Sequence, residues 1–577
     1  MTSTKRLLLG TAAATVAVAA GGGMAAQAAD IAVKKAPPIQ YVRICDQYGA
    51  GFWQIPGSSI CLQIRGQFQS DNAYQPTHDI LLLTPSKTNG TWSQAFQAAS
   101  QQDKWGYEVT SKTRFDMRTE TSLGTLRAYI ELKVQLDAGA FNAVIGPGIG
   151  ETGAGNKSEL YRGYVQWAGF TLGSADSIWS LGGFKDGEVA NVIQSDKSSG
   201  WTAYYTWTPS GPGVPPKRGS APVPDGWSFS FGVDTPLKHI SKNQFGGGCT
   251  YYDLTLTAGS PAGLGSVCAQ TGPLTIPDFV GRIHYEGDPA GKDPQNNDQF
   301  GLGSLHLSGA WHQITTIGVG SKGDVIPILP VAGSAACGGL PAGGIAVPCA
   351  FGPAVTANGW AVNGAWKFFV PMWSWARLGP LRASAADNIA GNIIYANGAL
   401  EYGGIGGTNG NLGAGDAYWT GGLARDDTDG RWINNGFGSY SIDKEKDLLL
   451  NFQYDSILTD CTDPVKCVRL NLEANYVWVT PGSITQNVDW TLGGLGKARK
   501  MALTGELSFG ANSFGTTRPT FWRLDLEVQY LKVWQDLPCA NNGNTALAVC
   551  GTPTTLPFGI TKDPDTYVFR ATLSKDW

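Results

Sequence analysis

The feature that most constrains the fold of this chain is a regular alternation of charged and apolar residues along strand-length segments. Residues 105–121 carry charged or polar side chains at the even positions from 108 to 120, and apolar ones, among them Tyr107 and Phe115, at odd positions. After a short turn, residues 126–137 repeat the pattern. Because successive side chains of a β-strand point to opposite faces, the two segments predict a hairpin with one apolar and one charged face.

The same alternation recurs along the chain. Residues 468–478 and 522–530 set charged side chains against apolar ones, and residues 280–286, 302–312 and 567–577 behave alike. Glycine is frequent, with 78 of 577 residues, aromatic residues reach 11%, and charged residues only 15%. This composition is typical of many strands joined by turns rather than of helices, so an all-β fold is expected.

A soluble β-sandwich also alternates in this way. Here, however, strand after strand sets arginines and carboxylates opposite aromatic residues, and Trp105, Trp534 and Trp577 lie at strand ends, where membrane barrels carry aromatic girdles. The pattern favours a transmembrane antiparallel β-barrel. A secreted β-sandwich, either an adhesin or an enzyme, is the alternative.

The N-terminus indicates export. Lys5 and Arg6 precede an uncharged apolar stretch at residues 7–20, and Ala26-Gln27-Ala28 has the small residues of a cleavage site. This three-part pattern predicts a signal peptide at residues 1–28, with a buried helix as the alternative. Residues 29–577 are then expected to form a single β-barrel domain.

A transmembrane helix is not expected after this segment. The best candidate, residues 325–366, contains no charged residue but is interrupted repeatedly by Gly and Pro, and Pro breaks the interior of a helix. It is interpreted as a long loop leading into a strand. A membrane protein without spanning helices must form a closed barrel, because lipid offers no partners to open backbone groups.

The ten cysteines fall into five pairs of sequence neighbours. Closely spaced pairs in an exported chain predict local disulfides, whereas a metal site would need tighter clusters. Free thiols are the alternative, since the sequence does not fix connectivity. The predicted pairs are Cys45 with Cys61, Cys249 with Cys268, Cys337 with Cys349, Cys461 with Cys467, and Cys539 with Cys550.

The predicted connections differ greatly in length. Those at residues 122–124 and 168–169 are very short, while others are long and rich in Gly, Pro and Asn. Short periplasmic turns and long extracellular loops are typical of outer-membrane barrels. The Pro-rich residues 209–225 depart from this scheme, because they fall on the short-turn side. The long connections are predicted at residues 71–104, 236–276, 321–358 and 535–565.

Three runs resemble a known family. They are YVRICDQYGAGFWQIPGSSICLQIRG (41–66), FDMRTETSLGTLRAYIEL (115–132) and YRGYVQWAGFTLGSADSIWS (161–180). Weaker runs such as PDFVGRIHYEG, NGWAVNGAW and NGALEY follow in the same order. These runs are similar to the outer-membrane porins of alphaproteobacteria, of the rhizobial and Brucella type. The resemblance implies a 16-stranded barrel in the bacterial outer membrane, a homotrimer, and a third surface loop folded into the lumen.

In this chain that loop would be residues 181–199, following a strand at residues 170–180. The resemblance implies that its acids, here Asp186 and Glu188, face basic residues on the wall and narrow the pore. Alternatively, the wall charges pair with each other, since lumen positions are polar by default. Glu108, Asp116, Glu120 and Glu131 point inward among the bases. The basic residues expected to line the pore are Arg65, Lys112, Arg114, Arg118, Arg127, Lys133 and Arg162.

One segment departs from the family pattern and puts the number of strands in doubt. Residues 482–520 look like an insert between two recognisable strands. Residues 484–491 and 501–512 could add a hairpin, which would make eighteen strands instead of sixteen.

The expected function is a water-filled channel for passive diffusion of small hydrophilic solutes and ions, in contact with outer-membrane lipid. The alternative is a substrate-selective channel for one nutrient. The net charge of −4 gives no indication of a nucleic-acid partner. No cofactor or metal site is expected: acidic residues 426–429 lack the EF-hand spacing, and residues 148–153 match G-x-G-x-x-G without a strand and helix around them.

No enzyme is expected either. The five histidines form no H-E-x-x-H motif, and no G-x-S-x-G motif occurs. His284, His306 and His312 lie at inward positions and are interpreted as ordinary lumen residues.

Overall fold

The structure is a computed structural model of the chain. Apart from Arg43, the residues that it describes belong to one unit, Ile44–Trp577. The described residues are 43–49, 51–74, 84–88, 91–95, 105–139, 155–180, 200–209, 211–212, 226–235, 250–251, 268–271, 276–286, 301–321, 349–370, 387–403, 430–436, 439–458, 468–480, 498–510, 522–535 and 565–577.

Sixteen antiparallel strands form a closed barrel, as predicted. Each strand pairs with the next one along the chain, and the last pairs with the first. The strands are β1 (Cys61–Tyr74), β2 (Trp105–Thr121), β3 (Gly124–Gly139), β4 (Gly155–Trp167), β5 (Phe170–Ala175), β6 (Gly200–Thr208), β7 (Trp227–Asp234), β8 (Asp278–Glu286), β9 (Gly301–Ser321), β10 (Cys349–Val370), β11 (Asp387–Asn397), β12 (Lys446–Ile457), β13 (Val468–Thr480), β14 (Ala498–Phe509), β15 (Trp522–Gln535) and β16 (Asp565–Asp576).

Short elements accompany the barrel. Trp53–Gln54 pairs with β1, Gly211–Pro212 with β6, and Cys268–Thr271 with both β9 and Thr250–Tyr251. Separate two-stranded hairpins are formed by Thr84–Thr88 with Thr91–Ala95 and by Gly430–Gly436 with Ser439–Lys444. Single 3₁₀ turns occur at Asp46–Tyr48 and Leu400–Gly403.

The proposed eighteen-strand alternative is wrong. Residues 501–509 belong to β14, which pairs along its length with β13 and β15. β14 is a regular wall strand. Residues 484–491, the other half of the proposed hairpin, lie outside the described residues.

The two faces of the wall have opposite character. Large apolar side chains such as Leu132, Val134 and Leu136 are exposed on the outside, whereas polar ones such as Glu131 and Asn475 are buried inside. A soluble protein would have the reverse arrangement, because its exterior meets water. An apolar outer face is what a barrel in contact with lipid requires.

Aromatic residues gather near both ends of the barrel. At one end, called here the long-loop rim, Trp105 packs 4.6 Å from Tyr74 between ring centroids. At the other, called the short-turn rim, Trp227 packs 5.0 Å from Tyr285. Trp105 and Trp577 are about half exposed, as expected of girdles at the two membrane interfaces. Within the described residues, no helix is long and apolar enough to cross a membrane.

The connections broadly follow the predicted asymmetry. The two-residue turns at 122–123 and 168–169 lie at the short-turn rim. The end of β6 and the start of β7, which residues 209–225 connect, also lie at this rim. The loop predicted for residues 321–358 is shorter than expected, because β9 runs to Ser321 and β10 begins at Cys349. These strands continue to pair with each other beyond the wall, so the Gly and Pro residues of the segment did not end the sheet.

The seam of the barrel is closed by both end regions of the described chain. β16 pairs with Gln67–Tyr74 of β1, and Trp577 exchanges backbone hydrogen bonds with Gly66. The Trp577 ring packs so closely that a Cβ at Gly66 would lie 1.9 Å from it. The remaining edge of β1 is covered by Trp53–Gln54, opposite Leu62 and Cys61.

Of the five predicted disulfides, the structure describes both cysteines of one. The bond between Cys45 and Cys61 is present, with the two Cα atoms 6.1 Å apart. Cys268 and Cys349 lie on described strands, at Cys268–Thr271 and at the start of β10. The other four pairings therefore stay predictions. The cysteines that lie outside the described residues are Cys249, Cys337, Cys461, Cys467, Cys539 and Cys550.

Candidate functional site

One section of the lumen is lined by the seven basic residues that the sequence singled out, and we call it the basic wall. These seven residues lie on β1–β4, where they alternate with apolar residues that face outward. Their side chains therefore face the lumen. Register sets like charges directly opposite each other, which is unfavourable unless anions lie between them. The opposed pairs are Arg65 with Arg114, Lys112 with Lys133, and Arg118 with Arg127.

Glu131 is the first such anion, and its side chain is completely buried. Arg114 Nε donates to its Oε1 at 3.1 Å, and Arg162 Nη1 donates to its Oε2 at 3.2 Å. The Tyr129 hydroxyl donates to Oε2 at 3.1 Å. Arg162 also pairs with the exposed carboxylate of Asp176 at 2.8 Å. One buried carboxylate therefore holds two guanidinium groups from neighbouring strands.

Asp116 does the same nearer the short-turn rim. Arg118 Nη2 lies 2.7 Å from its Oδ2, and Arg127 Nη2 lies 2.9 Å from the same oxygen. Arg127 also packs over the rings of Tyr129 and Tyr164, whose centroids are 5.0 Å apart. These contacts fix the guanidinium groups against the wall in a definite geometry.

Four of the seven basic residues, Arg114, Arg118, Arg127 and Arg162, thus pair with wall carboxylates. The sequence left open whether the wall bases face the acids of the third surface loop or pair with acids of the wall itself. For these four arginines, pairing within the wall is what the structure has. Arg65 and Lys133 make no ion pair with any described residue, although Lys133 lies 5.8 Å from the Tyr161 ring. Asp186, Glu188 and the rest of residues 181–199 lie outside the described residues, so their part in a constriction stays a prediction.

The sequence places seven bases and four acids on the inward face of this section, which leaves an excess of positive charge, and the structure adds two more acids. Glu159 lies opposite Lys133, and Asp71 also points inward, where it pairs with Arg570 at 2.8 Å. Both acids lie toward the long-loop rim. Near the short-turn rim, Arg118 and Arg127 share Asp116 and lie close to Glu120. The excess of positive charge therefore lies at the middle level of the basic wall, around Arg65 and the opposed pair of Lys112 and Lys133.

The lumen has a different character at β12–β15. Among the inward residues described there, carboxylates outnumber bases, and several are paired, as Arg469 is with Asp455 at 3.1 Å. Arg523 pairs with Asp525 at 2.6 Å. The inward carboxylates are Asp447, Asp455, Glu473, Glu506, Asp525 and Glu527.

The chain turns into the lumen directly after β5. The predicted strand to residue 180 ends earlier, at Ala175, because residues 177–180 leave the sheet and become buried inside the barrel. We call residues 177–180 the inward segment. Ser177 Oγ donates to Asp234 of β7 at 2.5 Å, and the Trp179 side chain is fully buried.

The backbone carbonyl of Trp179 is the point of attachment. It lies 2.9 Å from His306 Nε2 and accepts hydrogen bonds from Ser308 Oγ at 2.8 Å and Asn363 Nδ2 at 3.3 Å. These groups belong to β9 and β10, several strands away from β5 around the ring. The inward segment therefore crosses part of the lumen and is fixed on another part of the wall.

The Trp179 ring packs edge-on against Tyr402, with centroids 5.0 Å apart. Tyr402 follows β11, and its hydroxyl donates to Asp278 Oδ2 at 2.9 Å. His312 Nδ1 lies 2.8 Å from the other oxygen of Asp278. Apolar inward residues surround the two rings, among them Ala310, Ala361, Ile394 and Leu449.

The sequence did not predict these contacts of Trp179 with β9, β10 and Tyr402, which we call the Trp179 anchor. His306 and His312 were interpreted as ordinary lumen residues, but each is only 1% exposed because each holds a buried polar partner. A signal was present in the inward series of β9–β12, where Ala310, Ile394 and Leu449 replace the usual polar residues. Inward apolar positions indicate that something packs inside the barrel at that level.

The described lumen combines fixed charges with a chain segment that enters it. Four of its arginines are fixed in ion pairs on the wall, and a metal-binding group of three or more His, Cys, Asp or Glu is absent from the described residues. The described lumen therefore offers charged walls and an inward chain segment, which can bias the passage of ions and polar solutes.

Comparison with known proteins agrees with this geometry. Residues 30–207 match the sequence model of a porin subfamily. Porin Omp2b of Brucella melitensis is 31% identical over 207 residues, which cover 35% of this chain and 50% of the relative. Porin Omp2b of Brucella canis is 32% identical over 207 residues, with the same coverage of the two chains. The chain thus matches about half the length of these curated relatives. The predicted relationship to alphaproteobacterial porins is confirmed over this region.

Solved structures with a similar course of the chain include the outer-membrane channel DcaP of Acinetobacter baumannii. It has 8% identity and a TM-score of 0.42, covering 91% of this chain and 99% of that one. An anion-selective porin from Comamonas acidovorans has 10% identity and a TM-score of 0.33, covering 90% and 100%.

Proposed function

We propose that this chain, a relative of the alphaproteobacterial porins through residues 30–207, forms a water-filled channel in the bacterial outer membrane. Small hydrophilic solutes and ions would cross it by passive diffusion, without an enzymatic step. The observation that carries this proposal is the closed barrel of sixteen strands with an apolar exterior and a charged interior. Only a barrel with water inside and lipid outside stabilises both faces.

Export and assembly belong to the same proposal. Residues 1–28 would act as a signal peptide, leaving residues 29–577 as a single barrel domain. The resemblance to porins supports a homotrimer surrounded by outer-membrane lipid. The native mass of the detergent-solubilised protein tests this assembly.

Conductance in planar bilayers tests the channel itself. We expect the purified, heat-modifiable protein to produce stepwise current increases in salt solution, because ions cross a continuous water-filled path. The matched control is the same preparation after heat denaturation, which should produce none. A native preparation that inserts into bilayers but carries no current would contradict the proposal.

A substrate-selective channel is the second candidate. The inward segment favours it, because a chain segment fixed across part of the lumen narrows the path. Block of the ionic current by low concentrations of one solute would support this candidate. A current that is indifferent to all small solutes favours general diffusion.

The predicted constriction acids give a separate test. Changing Asp186 and Glu188 to Asn and Gln should shift the reversal potential in a salt gradient toward anion selectivity. Removal of negative charge leaves the basic wall less compensated, and charged rings bias the ions that pass. Changing Asp565, an exposed carboxylate at the long-loop rim, to Asn is the control. An equal reversal potential in wild type and the double variant would remove the two acids from the constriction.

A further inference from the structure

The segment before β1 pairs with the edge of β1 at the short-turn rim and directs part of its side chains into the mouth of the barrel. Trp53 pairs opposite Leu62, whose side chain points outward, and Gln54 pairs opposite Cys61, which points inward. Alternation therefore directs Phe52 into the lumen, where it is 3% exposed. Consistently, a Cβ at Gly51 would lie 3.0 Å from the side chain of the inward residue Gln63. We call residues 44–49 and 51–60 the N-terminal flap.

The flap covers one member of the basic wall. The guanidinium carbon of Arg118 lies 4.8 Å from the centre of the Phe52 ring and 5.9 Å from that of Tyr48. The Tyr48 hydroxyl donates to Glu120 Oε2 at 3.3 Å. Burial, together with the nearby Glu120 carboxylate, raises the pKa of Tyr48, so this hydroxyl stays protonated and remains a donor at neutral pH.

Several independent contacts hold the flap in place. The Cys45–Cys61 disulfide ties it to the first residue of β1. The backbone NH of Cys45 donates to the carbonyl of Phe52 at 3.0 Å, and Ser59 Oγ lies 3.2 Å from Thr119 Oγ1 of β2. The disulfide and the contact with Thr119 tie the flap to two neighbouring wall strands, β1 and β2.

We propose that the N-terminal flap is a second narrowing of the pore, at the short-turn rim, and that it screens Arg118 from passing ions. This inference rests on the proposed channel function. Phe52 and Tyr48 occupy cross-section at the mouth that water would otherwise fill. Their rings also cover Arg118, one of the two arginines nearest the short-turn rim. The flap would thus reduce both the conductance and the preference for anions.

The test is a variant with Tyr48→Ala and Phe52→Ala, which keeps the disulfide and all wall strands. In planar bilayers we expect a larger single-channel conductance than wild type and a reversal potential shifted toward anions. Adding Arg118→Gln to this variant should abolish the shift in reversal potential while the larger conductance remains. Leu123→Ala is the control, because Leu123 lies at the same rim in the turn after β2 and is 60% exposed.

Unchanged conductance and reversal potential in the variant with Tyr48→Ala and Phe52→Ala would overturn the inference. Absence of current in wild type would instead count against the proposed channel function, so the two failures are distinguishable. If the double variant is not heat-modifiable on gels, Cys45→Ser combined with Cys61→Ser provides the second variant. It loosens the flap without removing a ring, and a conductance equal to that of wild type would then count against the inference.

Discussion

Replacing Trp179 with alanine is expected to raise the single-channel conductance and to make the open current noisy. The ring is fully buried against Tyr402 and inward apolar residues, and deleting a buried Trp side chain typically costs about 3–5 kcal/mol. The barrel is held by its own backbone pairing, so this cost should appear as local release of the inward segment rather than as unfolding. A released segment no longer holds its position across the lumen.

Trp201→Ala is the matched control for this experiment, because Trp201 lies in the adjacent strand β6 and is 55% exposed on the outer face. It should leave the conductance unchanged. Heat-modifiability on gels should be retained in both variants. If Trp179→Ala conducts with the same amplitude and noise as wild type, the inward segment does not set the width of the pore.

Glu131→Gln is expected to lower the stability of the folded protein and to shift its selectivity toward anions. Glu131 is buried and neutralises Arg114 and Arg162 together, and a glutamine cannot replace two charge-assisted hydrogen bonds. Leaving such groups unsatisfied costs about 1–3 kcal/mol. The lumen also gains one net positive charge. Thermal unfolding in detergent and reversal potentials in a salt gradient measure the two effects.

Asp176→Asn separates this effect from a general loss of charge near Arg162. Asp176 pairs with the same guanidinium group, but its side chain is 56% exposed. Exposed ion pairs contribute only about 0–1 kcal/mol, so its unfolding temperature should stay close to that of wild type. Equal destabilisation by the two substitutions would show that burial of Glu131 is not what matters.

The wall of the barrel could be predicted from the sequence because alternation is a local property. Residues 105–121 and 126–137 carry their inward charges and outward apolar groups in the printed order, and the paired strands β2 and β3 follow from it. The ends of the strands were harder to predict from the sequence. β9 extends to Ser321 and β10 begins at Cys349 because the two strands pair with each other. This pairing is a contact between distant segments, which a local pattern does not show.

The basic wall illustrates what local patterns leave out. The sequence placed Arg114 and Arg162 on the inward face, but which carboxylate each one reaches depends on the register and on the bulge between β3 and β4. The Trp179 anchor was missed for a similar reason. Its partners Ser308 and Asn363 are 129 and 184 residues away in sequence, and no short-range pattern relates them.

The seam of the barrel has a consequence for the order of folding. Asp71 of β1 and Arg570 of β16 are 499 residues apart, so the ring can close only after every intervening strand has been placed. Contacts of such long sequence separation form slowly because the entropy of loop closure opposes them. Until then both end strands present unpaired edges, which can pair with other chains. We therefore expect assembly, rather than the stability of the finished barrel, to be the step most sensitive to changes at Gly66 and Trp577.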